Sequence, residues 1–222
     1  MFYAIRFYMI KFLNFKKSYG KSPVLAVPEL ALDTGIYWVK GENGSGKSTL
    51  LKSMAGMLSC NGDVVIENNI SLKNNPVGYR KIVNFAEAEP LFPLFLTGLE
   101  MIDLFVSAKN GSKKQKEKLI ESLNMQQYIG MAVHSYSSGM LKKLSLLLAF
   151  IGTPKVILLD EPLITIDIDS LHILYSWIAE EHLNKQTTFL ITSHQPLNVD
   201  YLPATKELLV EKQTLRPLFE YA

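Results

Sequence analysis

At 222 residues and 48% hydrophobic content, the chain has material for one large domain or one core with an inserted subdomain. Its formal net charge of +2 does not mark a nucleic-acid-binding surface, and the single Cys60 rules out an internal disulfide, which suits a reducing cytoplasm. No apolar run reaches the roughly 18–20 residues that a spanning helix needs; the longest, residues 144–151, is far too short.

The first 13 residues are apolar but carry Arg6 and Lys11, without a clean hydrophobic region or a small-residue cleavage site, so they do not read as a signal peptide. Met9 is an alternative start. Residues 11–40 read as strands with turns at Tyr19-Gly20 and Asp33-Thr34-Gly35. The last of these, Ile36-Tyr37-Trp38-Val39, runs into Gly41-Glu42-Asn43-Gly44-Ser45-Gly46-Lys47-Ser48-Thr49. That run fits G-x-x-x-x-G-K-[ST], the phosphate-binding P-loop, and residues 48–57 read as the helix it should open. Glycines let successive N–H groups face a phosphate chain, and the helix start adds its positive end. Lys47 is placed to neutralise the outer phosphates and Ser48 to offer a hydroxyl to Mg²⁺. A dinucleotide loop would want G-x-G-x-x-G and has no use for the Lys-Ser pair.

Asn61-Gly62 reads as a hairpin-type turn before a strand at 63–67, and residues 81–86 read as a further strand. From Thr97 to Gly139 the chain becomes polar and helix-forming. Lys109, Lys113, Lys114, Lys116 and Lys118 cluster there, interleaved with Glu117 and Glu121, as on a solvated helix face. Residues 141–151 form an apolar helix. Val156-Ile157-Leu158-Leu159 is a continuous apolar strand of the kind buried in a parallel sheet. It ends in Asp160-Glu161. An acid at the end of a buried strand beside the P-loop strand can hold Mg²⁺, the Walker B role, and Glu161 after it can polarise an attacking water. A helix at about 170–183, a strand at 188–191 and two short strands between 205 and 219 complete the chain.

With these residues in hand, the chain resembles the ATP-binding cassette (ABC) ATPases over roughly residues 11–215. Tyr136-Ser137-Ser138-Gly139-Met140, 24 residues before Asp160, resembles the family's L-S-G-G-Q signature and opens an apolar helix as that motif does. The form with Met140, followed by Lys142 and Lys143, resembles export-type cassettes, as does Thr97-Gly98-Leu99-Glu100. His194 resembles the switch histidine that senses the γ-phosphate, and Tyr19 resembles the aromatic residue that stacks on adenine. Asp167 resembles the D-loop aspartate. Three departures stand out. Glu87 occupies the place of the Q-loop glutamine, where it could still reach Mg²⁺ through water. Thr165 replaces a glycine of the D-loop. Ser138 replaces the second signature glycine. His134, His172 and His182 match nothing and read as structural.

The resemblance implies an α/β fold of P-loop type: a single cassette over 1–222, a mostly parallel sheet, an antiparallel β edge, and a helical subdomain at about 88–150. It implies ATP hydrolysis with Mg²⁺ in a head-to-tail homodimer or heterodimer, each ATP held between the P-loop of one subunit and residues 137–140 of the other. It implies a separate membrane permease and a cytoplasmic location on the inner face of the membrane. Leu91, Phe92, Leu94 and Phe95 make the loop at 87–100 a candidate docking surface, the other reading being that they fill a seam between subdomains. A soluble cassette acting on ribosomes, nucleic acid or an assembly pathway is the alternative. The guanine-binding Asn-Lys-x-Asp motif is absent, which argues against a GTPase.

Overall fold

A computed structural model describes residues 9–67 and 69–218. The question of Met1 or Met9 as the start falls on residues 1–8, and the expected end of the last strand falls on Phe219; both lie outside the described residues.

Strands β1 (Ile10–Tyr19), β2 (Ser22–Leu32), β4 (Asn61–Ile66) and β5 (Ile70–Ser71) form an antiparallel sheet in the order β2-β1-β4-β5. Alternation along β1 buries Ile10 and Phe12 on one face, and the register shift between Leu13 and Lys16 returns Phe15 to the same cluster. Asn61-Gly62 is not a hairpin turn but part of β4, where the β1–β4 register shifts between Leu13 and Lys16. Asn14 adopts φ 50 there and faces Gly62, φ 78, whose Cβ would stand 2.2 Å from the Asn14 carbonyl oxygen. A bulge therefore replaces the expected turn, and only glycine fits opposite it.

The second sheet has six strands in the order β10-β9-β3-β8-β7-β6: β10 (Thr214–Pro217), β9 (Thr205–Glu211), β3 (Ile36–Lys40), β8 (Thr188–Thr192), β7 (Val156–Leu159) and β6 (Val83–Ala86). From β9 to β6 all neighbours are parallel; β10 alone is antiparallel. The antiparallel portion near the N-terminus is thus a sheet of its own, tied to this one where Ala26 N donates to Gln213 O at 2.7 Å. The expected strand at 81–86 is shorter. Residues Pro76–Ile82 form helix α2, with Pro at its first turn and Asn75 capping Gly78 N at 3.0 Å, and β6 begins only at Val83.

Both faces of the parallel sheet are covered, as its continuous apolar strands require. Val156, Leu158 and Leu190 face helix α1 (Lys47–Met54), where Leu50, Leu51 and Met54 pack with Phe12 and Phe15 of the antiparallel sheet and with Tyr37 of β3. Ile157, Leu159, Phe189 and Ile191 point the other way. They pack with Leu144 and Leu147 from α5 (Ser138–Ala149), with Phe150 that caps its end, and with Leu174, Trp177 and Ile178 of α6 (Ile168–Lys185). Helices α3 (Gly98–Ala108) and α4 (Lys113–Ser122) precede α5 and join the same cluster through Met101, Ile102, Leu119 and Ile120. Asn84 on β6 donates to the carbonyls of Ala149 and Ile151 at 2.8 and 2.9 Å, which pins the end of α5 to the sheet.

The lysine cluster divides. Lys113, Lys116 and Lys118 pair at the surface with Glu117, Asp103 and Glu180. Lys109 instead covers the open edge of β6 by donating to Arg80 O and Val83 O, and burial lowers its pKa to about 8. No helix among the described residues is long and apolar enough to cross a membrane.

Gly62→Ala tests the bulge. The clash with Asn14 and the positive φ together should cost more than about 2 kcal/mol in urea-induced unfolding. A loss below about 0.5 kcal/mol would mean that the bulge relaxes freely.

Candidate functional site

The parallel strands end at one edge, so four loops meet there: 41–46 after β3, Glu87 after β6, Asp160-Glu161 after β7 and Ser193-His194 after β8. The loop after β3 turns into α1 through Gly46, whose φ of 106 suits glycine. A Cβ on Gly46 would also press on Val24 at 3.1 Å. Gly46 is the N-cap of α1 and no side chain caps that end, so the first-turn donors are left to an anion. Lys47 is buried and its Nζ curls back to donate to Gly41 O and Glu42 O, at 2.7 and 3.0 Å. Ser45 Oγ is buried without a hydrogen-bond partner.

Tyr19, Val24, Asn43, Gly44, Gly46, Lys47, Ser48, Thr49, Glu161 and His194 line one cavity of about 350 Å³. Residues from β1, the P-loop, β7 and β8 are therefore brought together as expected, with Tyr19 exposed at the rim and the Lys17 ammonium 4.8 Å from its ring centre.

The acids sit one strand further from the P-loop than expected. Strand β7 is not beside β3, because β8 lies between them. Asp160 still accepts from Ser48 Oγ at 3.1 Å, and Thr192 at the end of β8 bridges the gap. Thr192 Oγ1 donates to the same Asp160 Oδ1 at 2.7 Å and accepts from Glu161 N at 2.9 Å. One hydroxyl thus orients both acids. Thr192 is not among the residues expected in the site; its signal in the sequence is a threonine that ends a strand two residues before His194. Glu161 adopts φ 45. Its Oε2 accepts from His194 N at 3.3 Å, while Oε1 is buried, lies 3.5 Å from His194 Nε2 and has no hydrogen-bond donor.

These residues fit a phosphate chain with a divalent cation. An uncapped helix start, a buried lysine and an unpartnered serine hydroxyl supply donors. Ser48 and Asp160 supply hard oxygen ligands in contact with each other.

Glu87 departs from its expected place. It does not line this cavity; its carboxylate pairs with Lys52 on α1, and it borders a separate groove of about 350 Å³ with Met57, Phe85, Leu91, Phe92 and Phe105. The Lys52 ammonium offsets the like-charge repulsion that a carboxylate near phosphates would meet, and it holds Glu87 on this groove and off the lining of the cavity that Lys47 and Ser48 share.

Ser137, Ser138, Gly139 and Met140 also lie outside the cavity lining. Ser137 caps α5 by accepting from Met140 N at 3.3 Å. Gly139 lies against the D-loop: a Cβ there would be 3.5 Å from Thr165 O. Thr165 holds φ 61, the left-handed conformation that glycine adopts more readily. Lys143 pairs with Asp167 at 2.7 Å. Burial pushes the Asp167 carboxyl up, but the Lys143 ammonium and the Ser170 donors outweigh it and hold the pKa at about 2. His172 and His182 bond Tyr201 OH and Thr187 O, at 2.9 Å each, in keeping with structural roles.

The sequence model of the ABC transporter family matches residues 32–164. A curated relative, the lantibiotic transport ATP-binding protein SrtF of Streptococcus pyogenes, is 28% identical over 87% of this chain and 83% of its own length. Among solved structures, an ATP-binding subunit of an ABC transporter superimposes with a TM-score of 0.82 at 20% identity, covering 95% of this chain and 90% of that one. A dimeric ATP-binding cassette, MJ0796 bound to ADP and Pi, gives 0.74 at 20% identity over 96% of this chain and 100% of that one.

Thr192→Val keeps the shape of the side chain but removes its hydroxyl. The buried Glu161 N–H then loses its acceptor and Asp160 loses a donor, so stability should fall by about 1–3 kcal/mol. ATP turnover measured on the folded fraction should fall with it. Unchanged stability and turnover would show that the bridge carries no weight.

Proposed function

The chain belongs to the ABC transporter family, and from that premise we propose that it powers export through a membrane permease made as a separate polypeptide. It is an ATP-binding cassette, an ATPase whose hydrolysis of ATP is coupled to transport. Our reading concerns which residues do this and with what partners.

Residues 41–49 cradle the phosphates. Lys47 swings from its two carbonyls to the outer phosphates, exchanging neutral acceptors for charged ones. Tyr19 at the rim offers its ring face to adenine. Ser48 and Asp160 would hold Mg²⁺, which would supply charge neutralisation at the phosphates. Glu161 Oε1, buried and without a donor, is the acceptor for a water proton, and His194 stands beside it. Glu87 is left out of the metal set because Lys52 holds it.

The observation that carries the dimer reading is the separation of the two nucleotide-binding elements. The P-loop, Tyr19, Glu161 and His194 share a cavity that residues 137–140 do not line. A second cassette, identical or related, would bring its own Ser137 and Gly139 to close that cavity. The membrane partner is inferred from a different surface. Leu91 is 91% exposed, Phe95 81% and Leu94 63%, while Phe92 turns in to the core. The seam therefore takes one aromatic residue, and three apolar side chains are left for a permease contact. Such a contact would hold the cassette at the cytoplasmic face of the membrane. The outward direction rests on the Met140 form of the signature and on Thr97-Gly98-Leu99-Glu100, which forms a capping box at the start of α3.

Three substitutions test this reading. Lys47→Ala should weaken binding of a fluorescent ATP analogue at least about tenfold, the loss of a charge-assisted phosphate contact; undiminished affinity would remove the P-loop assignment. Glu161→Gln should keep ATP binding, slow turnover about 100-fold or more, and accumulate as an ATP-bound dimer on size exclusion. For the cross-subunit role, Gly139→Asp should spare analogue binding to the monomer yet suppress turnover. Loss of monomer binding would place that segment in its own subunit's pocket.

A further inference from the structure

Lys142 lies one turn into α5 and is 1% exposed. Charged side chains are rarely buried so completely unless paired, and no carboxylate is within ion-pair distance of this ammonium among the described residues. Instead its Nζ donates to three main-chain carbonyls: Glu87 O at 3.3 Å, Ala88 O at 3.2 Å and Asp160 O at 3.2 Å. An ammonium has three protons, so its capacity is fully used. The carbonyls come from the loop after β6 and from the end of β7.

We propose that Lys142 is a positioning residue for hydrolysis, a strut by which the helix capped by Ser137 locks the Glu87-Ala88 loop against the Asp160-Glu161 turn. Asp160 O belongs to the peptide that joins the two acids, so its orientation fixes where Glu161 begins. Glu161 leaves that peptide at φ 45, a conformation an L-residue keeps only when held. The same two segments are tied once more, by Asp160 N donating to Ala86 O at 2.9 Å. Without Lys142 that bond and the β6–β7 ladder before it would be what joins them among the described residues. The next residue, Lys143, faces Asp167, so consecutive lysines of α5 grip the turn before the D-loop and the D-loop itself. A displacement of the Glu87-Ala88 loop would thereby reach both the catalytic turn and the helix carrying residues 137–140.

This inference rests on the reading of Asp160 and Glu161 given above. Lys142→Met keeps the aliphatic stem and removes every donor; Lys142→Gln keeps two donors on a shorter side chain. Amide hydrogen exchange of the full chain, bound to a non-hydrolysable ATP analogue, is compared with wild type by mass spectrometry, alongside steady-state turnover and KM for ATP. In Lys142→Met, amides at 87–92 should exchange about tenfold faster while those of β3 and β8 stay protected. Turnover should fall about tenfold with KM within about threefold, the pattern of a group that acts on the reacting geometry and not on nucleotide binding. Lys142→Gln should recover part of both, and carries the test alone if Lys142→Met does not fold. Wild-type exchange at 87–92, or a rise spread evenly over all strands, overturns the strut. Because exchange needs no turnover, a wild-type chain that fails to hydrolyse ATP would strike the catalytic reading and leave this one to be judged on exchange.

Discussion

Asp160 is 1% exposed, and the rest of the site is arranged around keeping it in place. Four elements reach it. Ser48 at the start of α1 and Thr192 at the end of β8 both donate to Oδ1, Ala86 on β6 accepts from its N–H, and Lys142 on α5 donates to its carbonyl. A buried carboxylate without such donors would cost several kcal/mol or take up a proton. The network therefore satisfies the buried carboxylate and makes its position depend on two helices and two strands at once.

Opposite demands meet at Lys142. Burial pulls its pKa down to about 8, against the attraction of Asp160 and Glu161, which raises it. The two acids thus favour the charged lysine although its ammonium bonds a main-chain carbonyl of Asp160 and no carboxylate oxygen. Both sides of the sheet must be packed for this to hold. Strand β7 buries alternate residues against α1 and against α5 with α6, so neither the P-loop helix nor the signature helix can move without disturbing the strand that ends in Asp160.

The surface expected to meet a second subunit is strained where the interior is settled. Thr165 sits at φ 61 where the resemblance leads one to expect glycine, with its carbonyl against Gly139. A β-branched residue in that conformation is held there by its surroundings. Ile164 and Ile168 on either side are exposed, and Lys143 anchors Asp167. The D-loop is thus pre-shaped within one chain, with apolar side chains left pointing outward.

By itself the sequence determined the P-loop, the acids at the end of an apolar strand, the order of the parallel strands along the chain and the helix opened by residues 137–140. Each of these is a local pattern: glycines at turns, continuous apolar runs, a serine cap. Only the tertiary structure decided which strands are neighbours. Sheet order follows from how helices cover the faces, and no period in the sequence records it. That is why β8 came to lie between β3 and β7 and why Thr192 became the bridge between the acids. Likewise Glu87 was legible as a departure from the glutamine, but its partner was not, because Lys52 meets it only when α1 packs on the face of the parallel sheet. Lys142 was legible only as one of two lysines that follow Met140 in an apolar helix. Its burial depends on the closeness of two loops distant in sequence from it, and spacing within a helix cannot show that.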